Sequence, residues 1–502
     1  MAKRKKSIDK HSYPVSEIMC AAFVIFAGTF YLLTVPSYGY SGIAEWKYSV
    51  FLLSFIGLIV LMAEQKLIGG KTALDRHHFT GIFPQALLAY FLFTCVSGLA
   101  SSYPGAFLGT GRHDGILTAG LYISATLLLA GCLNVKNWML FVFGGAVTLF
   151  CALGIVQLTG ANPFLLYPEG MNFYGAGTQY SGQYWSTTGN VNLCAALLSV
   201  SAGAFGAAAV RAGRPADWLC LIPLNLSVFS IIKLNSEAGM VALLGGFLLM
   251  LPFVVTSGKA VRNLFLTYGS VFLTLSASTA VTFFDGGVSF TPGKRTAALC
   301  AGAAVLLACG ALLGKTPGPE KLRPSTLRVF WVCFDAVMIA AGLLTLYFYD
   351  GFGGGFLFQA HELLHGHWDD TFGSGRLFIW RQAWGLVRES PLLGGGPDSL
   401  GLRGLEEFSR YNEAENVMFT ATIDVAHNEY LNILVNQGGL ALAAYLTAIA
   451  ASLVQWWRNP DDRTKAVAGA AALFYLLQAF FGISQYITAP YLWIALAILN
   501  KK

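Results

Sequence analysis

The sequence predicts an all-α, polytopic integral membrane protein with about 12–14 transmembrane helices and one large extracytoplasmic loop bearing short amphipathic helices. Three observations predict it. Hydrophobic residues make up 55% of the 502 and charged residues only 12%, against about 25% charged in an ordinary soluble domain. Mean hydropathy is +0.58. The apolar runs are roughly 20 residues long, the length a helix needs to cross ~30 Å of hydrocarbon at 1.5 Å per residue. The alternating pattern of a membrane barrel strand does not appear.

In chain order the expected spans lie near 17–35, 48–63, 82–100, 116–133, 138–158, 191–210, 218–232, 238–256, 264–283, 296–314, 329–349, 439–457, 466–483 and 487–499. Ile18 to Val35 is long enough to span and has no small-residue cleavage site, so it reads as a first helix rather than a signal peptide. All nine cysteines fall inside apolar runs, as small buried hydrophobes do, and imply no disulfide framework. The 56 glycines are dispersed, as expected where membrane helices pack closely.

Lys3-Arg4-Lys5-Lys6 before the first span argues for a cytoplasmic N-terminus. Alternating from there, the inward segments hold 22 of the 32 lysines and arginines. With the arginines of the long loop set aside, the score is 22 to 5, because long loops translocate regardless of charge. Both termini are then cytoplasmic and the loop faces outward. The division is residues 1–349 as an N-terminal bundle of about 11 spans, 350–430 as an extracytoplasmic catalytic loop and 431–502 as C-terminal helices, together one membrane domain. The net charge of +6 is a topology signal directed at anionic lipid, and no nucleic acid partner is expected.

Chemistry concentrates in the polar loop. Arg376 follows Gly373-Ser374-Gly375 in the first turn of a helix ending before Pro391, with Ser374 as the expected N-cap. An arginine beside a helix N-terminus is a prepared phosphate site. Leu377, Trp380, Trp384 and Val387 form a stripe on that helix suited to a membrane surface. Further along, Asp424 is expected to cap a helix whose third residue is His427, ending at Gly438-Gly439. A helix N-terminus disfavours imidazolium and leaves a histidine able to accept a proton, while Asp424 or Glu429 opposes that shift. Structural pairing of the outer arginines with Glu389, Glu406 and Glu407 is the plain alternative.

Two other patterns compete. His361-Glu362-Leu363-Leu364-His365 matches the zinc-protease motif, with His367 and Asp369-Asp370 close behind. The segment lacks the longer downstream signatures of those enzymes, and no metal site is expected from it. Asp369-Asp370 alone suits a divalent ion in a metal-dependent transfer, a weaker reading than the arginines. Tyr167, Phe173, Tyr174, Gln179, Tyr180, Gln183, Tyr184 and Trp185 in the outer segment 159–189 suit sugar rings, or equally an interfacial aromatic belt.

The motifs resemble the O-antigen ligase and O-antigen polymerase superfamily of multi-span bacterial glycosyltransferases. The resemblance rests on Gly373 to Arg376 with Trp380, Pro391 and the Gly394–Asp398 turn, and Ala426-His427-Asn428-Glu429-Tyr430-Leu431 with Gly438. Gly111-Arg112-His113-Asp114-Gly115 after the third span and Gly189-Asn190-Val191-Asn192 opening the sixth complete it. Many members carry Ser-Arg-Gly at a mid-chain span start, where this chain reads Ser236-Glu237-Ala238-Gly239, so Lys233 or Arg112 would have to replace that arginine.

The resemblance implies an enzyme of the bacterial cytoplasmic membrane that transfers or polymerises an undecaprenyl-diphosphate-linked glycan. The acceptor is a hydroxyl on a glycan or lipid at the outer face, membrane lipids surround it, and no cofactor is needed. On that reading His427 and Arg376 are catalytic, and Arg112, Arg376 and Arg381 hold diphosphate. Asp424, Asn428, Glu429, Asp398 and Trp380 support them. The alternatives are a transporter or flippase of lipid-linked glycans, which would want ionisable residues or helix breaks inside spans, and a membrane zinc protease.

The sidedness has a direct test. A cysteine at Ser409 should react with an impermeant thiol reagent in intact cells, and one at Ser325 should not; the reverse pattern overturns the topology.

Overall fold

The computed structural model describes residues 15–36, 42–68, 80–175, 182, 185–314, 323–351, 353–412 and 417–501. The basic cluster at 3–6 and Gln179, Tyr180, Gln183 and Tyr184 lie outside them. The helices are α1 (Val15–Phe26), α2 (Ile43–Leu67), α3 (Ile82–Ala100), α4 (Ile116–Cys132), α5 (Asn137–Gln157) and α6 (Val191–Val210). Then come α7 (Leu221–Lys233), α8 (Glu237–Leu249), α9 (Leu251–Val254), α10 (Gly258–Ala280), α11 (Lys294–Leu313) and α12 (Pro324–Phe348). The loop carries α13 (Gly355–Leu364) and α14 (Arg376–Glu389), and α15 (Glu429–Arg458), α16 (Arg463–Gln478) and α17 (Ala489–Leu499) close the chain. The protein is an all-α polytopic membrane protein. Eight helices among the described residues are long and apolar enough to cross a bilayer, and shorter apolar ones include Val15–Tyr31, Ile116–Cys132 and Glu237–Leu249.

Each of the fourteen expected spans falls on a helix. The ninth stops at Ala280 because Val281–Phe284 (β1) pairs antiparallel with Gly287–Phe290 (β2) around Asp285-Gly286. That signal was in the sequence: aromatic and β-branched residues flanking Asp-Gly are a hairpin pattern. A second antiparallel pair, Phe408–Asn412 (β3) with Val417–Ala421 (β4), sits in the polar loop, so short helices are not its only elements.

Small residues set the packing at the centre. In α6 nearly every residue is buried, and a Cβ on Gly203 would lie 2.5 Å from the Ala470 carbonyl oxygen of α16. Without a side chain there the two backbones approach closely, and dispersion replaces the hydrophobic effect as the driving force in lipid. At the edge, α11 and α12 bury little surface within the protein and present Val305, Leu312, Val329 and Val337 outward, as helices facing lipid tails do. The buried ionisable group of α2 is accounted for locally. Lys47 donates to the carbonyls of Tyr31 and Leu32, where a π-helical turn (Ala27–Tyr31) has disturbed the end of α1.

The polar loop is fastened to the bundle at a break in α15. Gly438 has φ 85° and ψ 173°, so the helix stops there and resumes. The break interrupts the helical hydrogen bonding of Val435 and Asn436, whose carbonyls accept from Gly395 N at 3.1 Å and Gly396 N at 2.7 Å. In return Gly439 N donates to the Pro391 carbonyl at 2.8 Å. Asn436 Oδ1 accepts from Leu400 N at 3.0 Å, and Arg403, its side chain almost fully buried, donates to the Val435 carbonyl and to Leu386 and Glu389 of α14. Ser97 and Ser101 at the end of α3 donate to the Leu393 and Gly395 carbonyls.

The interlock tolerates no side chain at the break. A Cβ on Gly438 would lie 2.2 Å from the Leu392 carbonyl oxygen, at a φ that L-residues disfavour. Gly438→Ala should therefore cost at least about 2 kcal/mol and lower the melting temperature in detergent. Gly145→Ala, where a Cβ meets nothing within 4 Å, should leave it unchanged. Equal melting temperatures for the two would refute the fastening role.

Candidate functional site

Arg376 owes its position to three successive left-handed residues, Gly373, Ser374 and Gly375, with φ of 63°, 60° and 85°. They reverse the chain so that Arg376 is the first residue of α14. The N-cap is Gly375 with no side-chain cap; Ser374 does not fill that place, because at φ 60° it lacks the extended backbone from which a capping hydroxyl reaches the helix. Arg376 Nη1 donates to the Gly373 carbonyl at 2.7 Å, and its buried Nε has no partner. Burial lowers its pKa, with Glu237 opposing. The guanidinium and Glu237 stand at a cavity of about 490 Å³ whose other walls, Gln359 apart, are mainly apolar, among them Phe356, Leu363, Phe480 and Phe481.

Glu237, where the resemblance implied an arginine, therefore lines the cavity at the start of α8. Neither Lys233 nor Arg112 lines it. Lys233 donates to the Ser278 and Val281 carbonyls, capping the end of α10, and Arg112 is engaged elsewhere.

His427 lies two residues before α15, next to its cap, with φ 48°. Asn428 is the cap, its Oδ1 accepting from Leu431 N at 3.0 Å. Asp424 does not cap, because its carboxylate takes both Nε and Nη2 of Arg112 at 2.8 and 3.1 Å. Trp380 Nε1 donates to the Ala426 carbonyl at 3.0 Å and steadies the residue before the histidine. Burial, then the charges of Arg376 and Arg112, push the His427 pKa down to about 4, with Asp424 opposing. The imidazole is neutral at physiological pH. Glu429 does not act on it: its buried carboxylate accepts from Tyr445 and Tyr475 at 2.6 and 3.0 Å.

Asp398 places Arg112. Its Oδ2 accepts from three consecutive backbone amides, Thr110, Gly111 and Arg112, at 2.8, 3.1 and 3.0 Å. This is a carboxylate seated in an amide nest, and it ties the loop after α3 to the glycine turn that the Gly438 break holds. In the same element His113 stacks on Tyr48, ring centroids 3.9 Å apart. Burial, with Asp398 and Glu429 nearby, pushes the Asp114 carboxyl up to about 8.

Arg381 stands on the outer side of α14, paired with Asp370 at 2.6 Å, while Asp369 accepts from Thr371 N and Oγ1. The expected α14 stripe divides. Val387 packs with Ile379 and Ala383 into a small core with Leu400, Ile423, Ala426 and Val435, whereas Leu377, Trp380 and Trp384 line cavities. In the zinc-like motif, His361 Nδ1 contacts the Leu346 carbonyl, His365 Nδ1 the His361 carbonyl, and His367 the Glu362 carboxylate. Among the described residues no group of three or more His, Cys, Asp or Glu is arranged to hold a metal ion.

The sugar reading of 159–189 fails for two of its described residues. Trp185 and Tyr167 are fully buried, Trp185 packing where a Cβ on Gly154 would be 2.0 Å away. The exposed tryptophans near the site are instead Trp368 and Trp384. Tryptophans inside a polar loop were the signal available for them.

Comparison with known proteins gives one finding. Residues 280–446 match the O-antigen ligase family model. The O-antigen ligase match begins at the β1–β2 hairpin and ends just past the Gly438 break, so it contains Arg376, Asp398, Asp424 and His427 but not Arg112 or Glu237. No curated protein shows significant similarity to the chain.

The depressed histidine has a thermodynamic signature. In the unfolded chain His427 takes its proton near 6.5; in the folded protein it does so only near 4. Its contribution to stability is complete above about 6.5 and is lost as pH falls toward 4. Between pH 7 and 5 the melting temperature of the wild type should fall more than that of His427→Gln. Arg112→Gln should move the His427 titration upward in histidine-labelled NMR spectra. A wild-type midpoint near 6.5 would refute the arrangement.

Proposed function

We propose that this protein transfers a glycan from a polyprenyl diphosphate, undecaprenyl diphosphate in the bacterial envelope, to an acceptor hydroxyl at the outer face of the cytoplasmic membrane. One observation carries the reading. A neutral histidine lies in the field of a half-buried arginine, and that arginine stands at a largely apolar cavity. The apolar walls suit a prenyl chain, the guanidinium suits its diphosphate, and the imidazole suits a hydroxyl that must lose a proton. The O-antigen ligase match over 280–446 supports the same class of reaction in surface polysaccharide synthesis.

In the reaction, His427 takes the proton of the acceptor hydroxyl as its oxygen attacks the anomeric carbon. The bond from that carbon to the diphosphate oxygen breaks, and the electron pair leaves on the diphosphate. Arg376 offsets the charge that grows there, an interaction stronger in the transition state than in the ground state. A positioned base contributes about 10²–10⁴-fold. Arg112, both of whose forward nitrogens are on Asp424, acts by holding the His427 loop and by keeping the imidazole deprotonated.

A transporter would use a helix break in a span to bind its cargo. Here the amides of Gly395 and Gly396 already occupy the carbonyls beside the Gly438 break, which favours transfer.

Substitutions should separate the two roles. His427→Ala should reduce transfer by at least about 10²-fold while donor binding survives. Arg376→Lys keeps charge without the planar fork and should be impaired, and Arg376→Ala should also weaken donor binding. Complementation with surface-glycan gels, beside a donor-binding assay, reads both. Normal glycan from His427→Ala would defeat the mechanism.

A further inference from the structure

Beside the donor cavity lies a second, more open groove of about 970 Å³ on the outer flank of α14. Leu377 and Trp380 line both, so one wall of α14 separates a lipid-like cavity from a water-facing groove. Trp368 and Trp384 stand in the groove with 76% and 49% of their surface exposed. Between them the ion pair of Asp370 and Arg381 is fixed at 2.6 Å. Asn428, next to His427, completes the wall; its Oδ1 is committed to Leu431 N, which leaves the amide NH₂ as its remaining hydrogen-bonding group.

We propose that this groove is a glycan subsite that grips a hexopyranose segment one or more sugars away from the reacting bond. The proposal rests on the transfer reading above and adds the place where sugar is recognised. Pyranose rings present a C–H face that packs on an indole and an edge of hydroxyls that needs fixed donors and acceptors. The tryptophans supply the first and the Asp370–Arg381 pair the second, through charge-assisted hydrogen bonds already oriented by each other. A membrane-interface role for the same tryptophans fits less well, because insertion would drag the charged pair and Asp369 toward apolar lipid. Continuity supplies the direction: a glycan whose reacting end lies between Arg376 and His427 runs past Asn428 and Trp380 into this groove.

The test uses the full chain in detergent and a lipid-free, diphosphate-free oligosaccharide released by mild acid from the producing cell's own lipid-linked pool. Saturation-transfer NMR and calorimetry should show binding by the wild type, at least tenfold weaker binding of the component monosaccharides, and retained binding by His427→Ala. Trp368→Ala and Trp384→Ala should each weaken binding fivefold or more, with Trp384→Phe recovering part of it. Both positions are exposed, and monodisperse elution verifies the fold. Transfer kinetics then assign the source: a rise in KM for donor alone places the donor glycan in the groove, and a rise for acceptor alone places the acceptor. Absence of wild-type binding, wild-type binding by both alanine variants, or unchanged KM for both substrates overturns the subsite. None of these results bears on His427 as the base, which the gel assay decides separately.

Discussion

The rest of the site depends on a helix that is made to break. At Gly438 the chain takes a conformation open to glycine, and two carbonyls that α15 would otherwise bond internally are satisfied by the amides of Gly395 and Gly396. Unsatisfied backbone groups are costly away from water, so the break and the glycine turn each require the other. Through that turn Asp398 reaches the loop after α3 and seats it on three amides. Arg403, threaded between α14 and the break, fixes the helix that begins with Arg376. Four distant stretches of chain thus converge through hydrogen bonds to backbone groups, two of them made by the Asp398 and Arg403 side chains.

What that framework produces is an unusual electrostatic state. His427 is enclosed beside Arg376 and Arg112, and only Asp424 opposes their effect. An imidazole so placed remains a base across ordinary pH, but a weaker one than a free histidine. In the proposed reaction, the anionic charge of a diphosphate departing beside Arg376 would offset the field that opposes protonation. Glu237 belongs to the same balance, since its charge acts on that of Arg376 where the sequence resemblance implied another cation. In place of the second phosphate arginine that the resemblance implied, one arginine, Arg376, stands at the cavity and another, Arg112, is engaged with Asp424.

Aromatic residues show how burial decides meaning. Tyr167 and Trp185 read as candidates for sugar contact and Trp368 did not, though each lies in an outward segment. Trp185 fills a space that Gly154 leaves open inside the bundle, whereas Trp368 stands in water beside a fixed ion pair. Composition in a window of sequence does not distinguish these cases, because both positions sit near polar residues and near a span.

The sequence by itself determined the class and the ingredients. Runs of apolar residues long enough to cross a bilayer have one low-energy solution in lipid, a helix with its backbone bonds closed internally, so each expected span is found as a helix. Arg376 and His427 were legible as candidates because ionisable groups gathered in one loop of an apolar chain stand out. Tertiary structure alone decided the cap assignments at Ser374 and Asp424, the partner of Arg112 and the fate of the aromatic segment. The physical reason is range: a helix span follows from neighbours a turn away, whereas Asp424 chose between capping its own helix and an arginine 312 positions earlier, a competition settled by which groups the Gly438 interlock brings within reach.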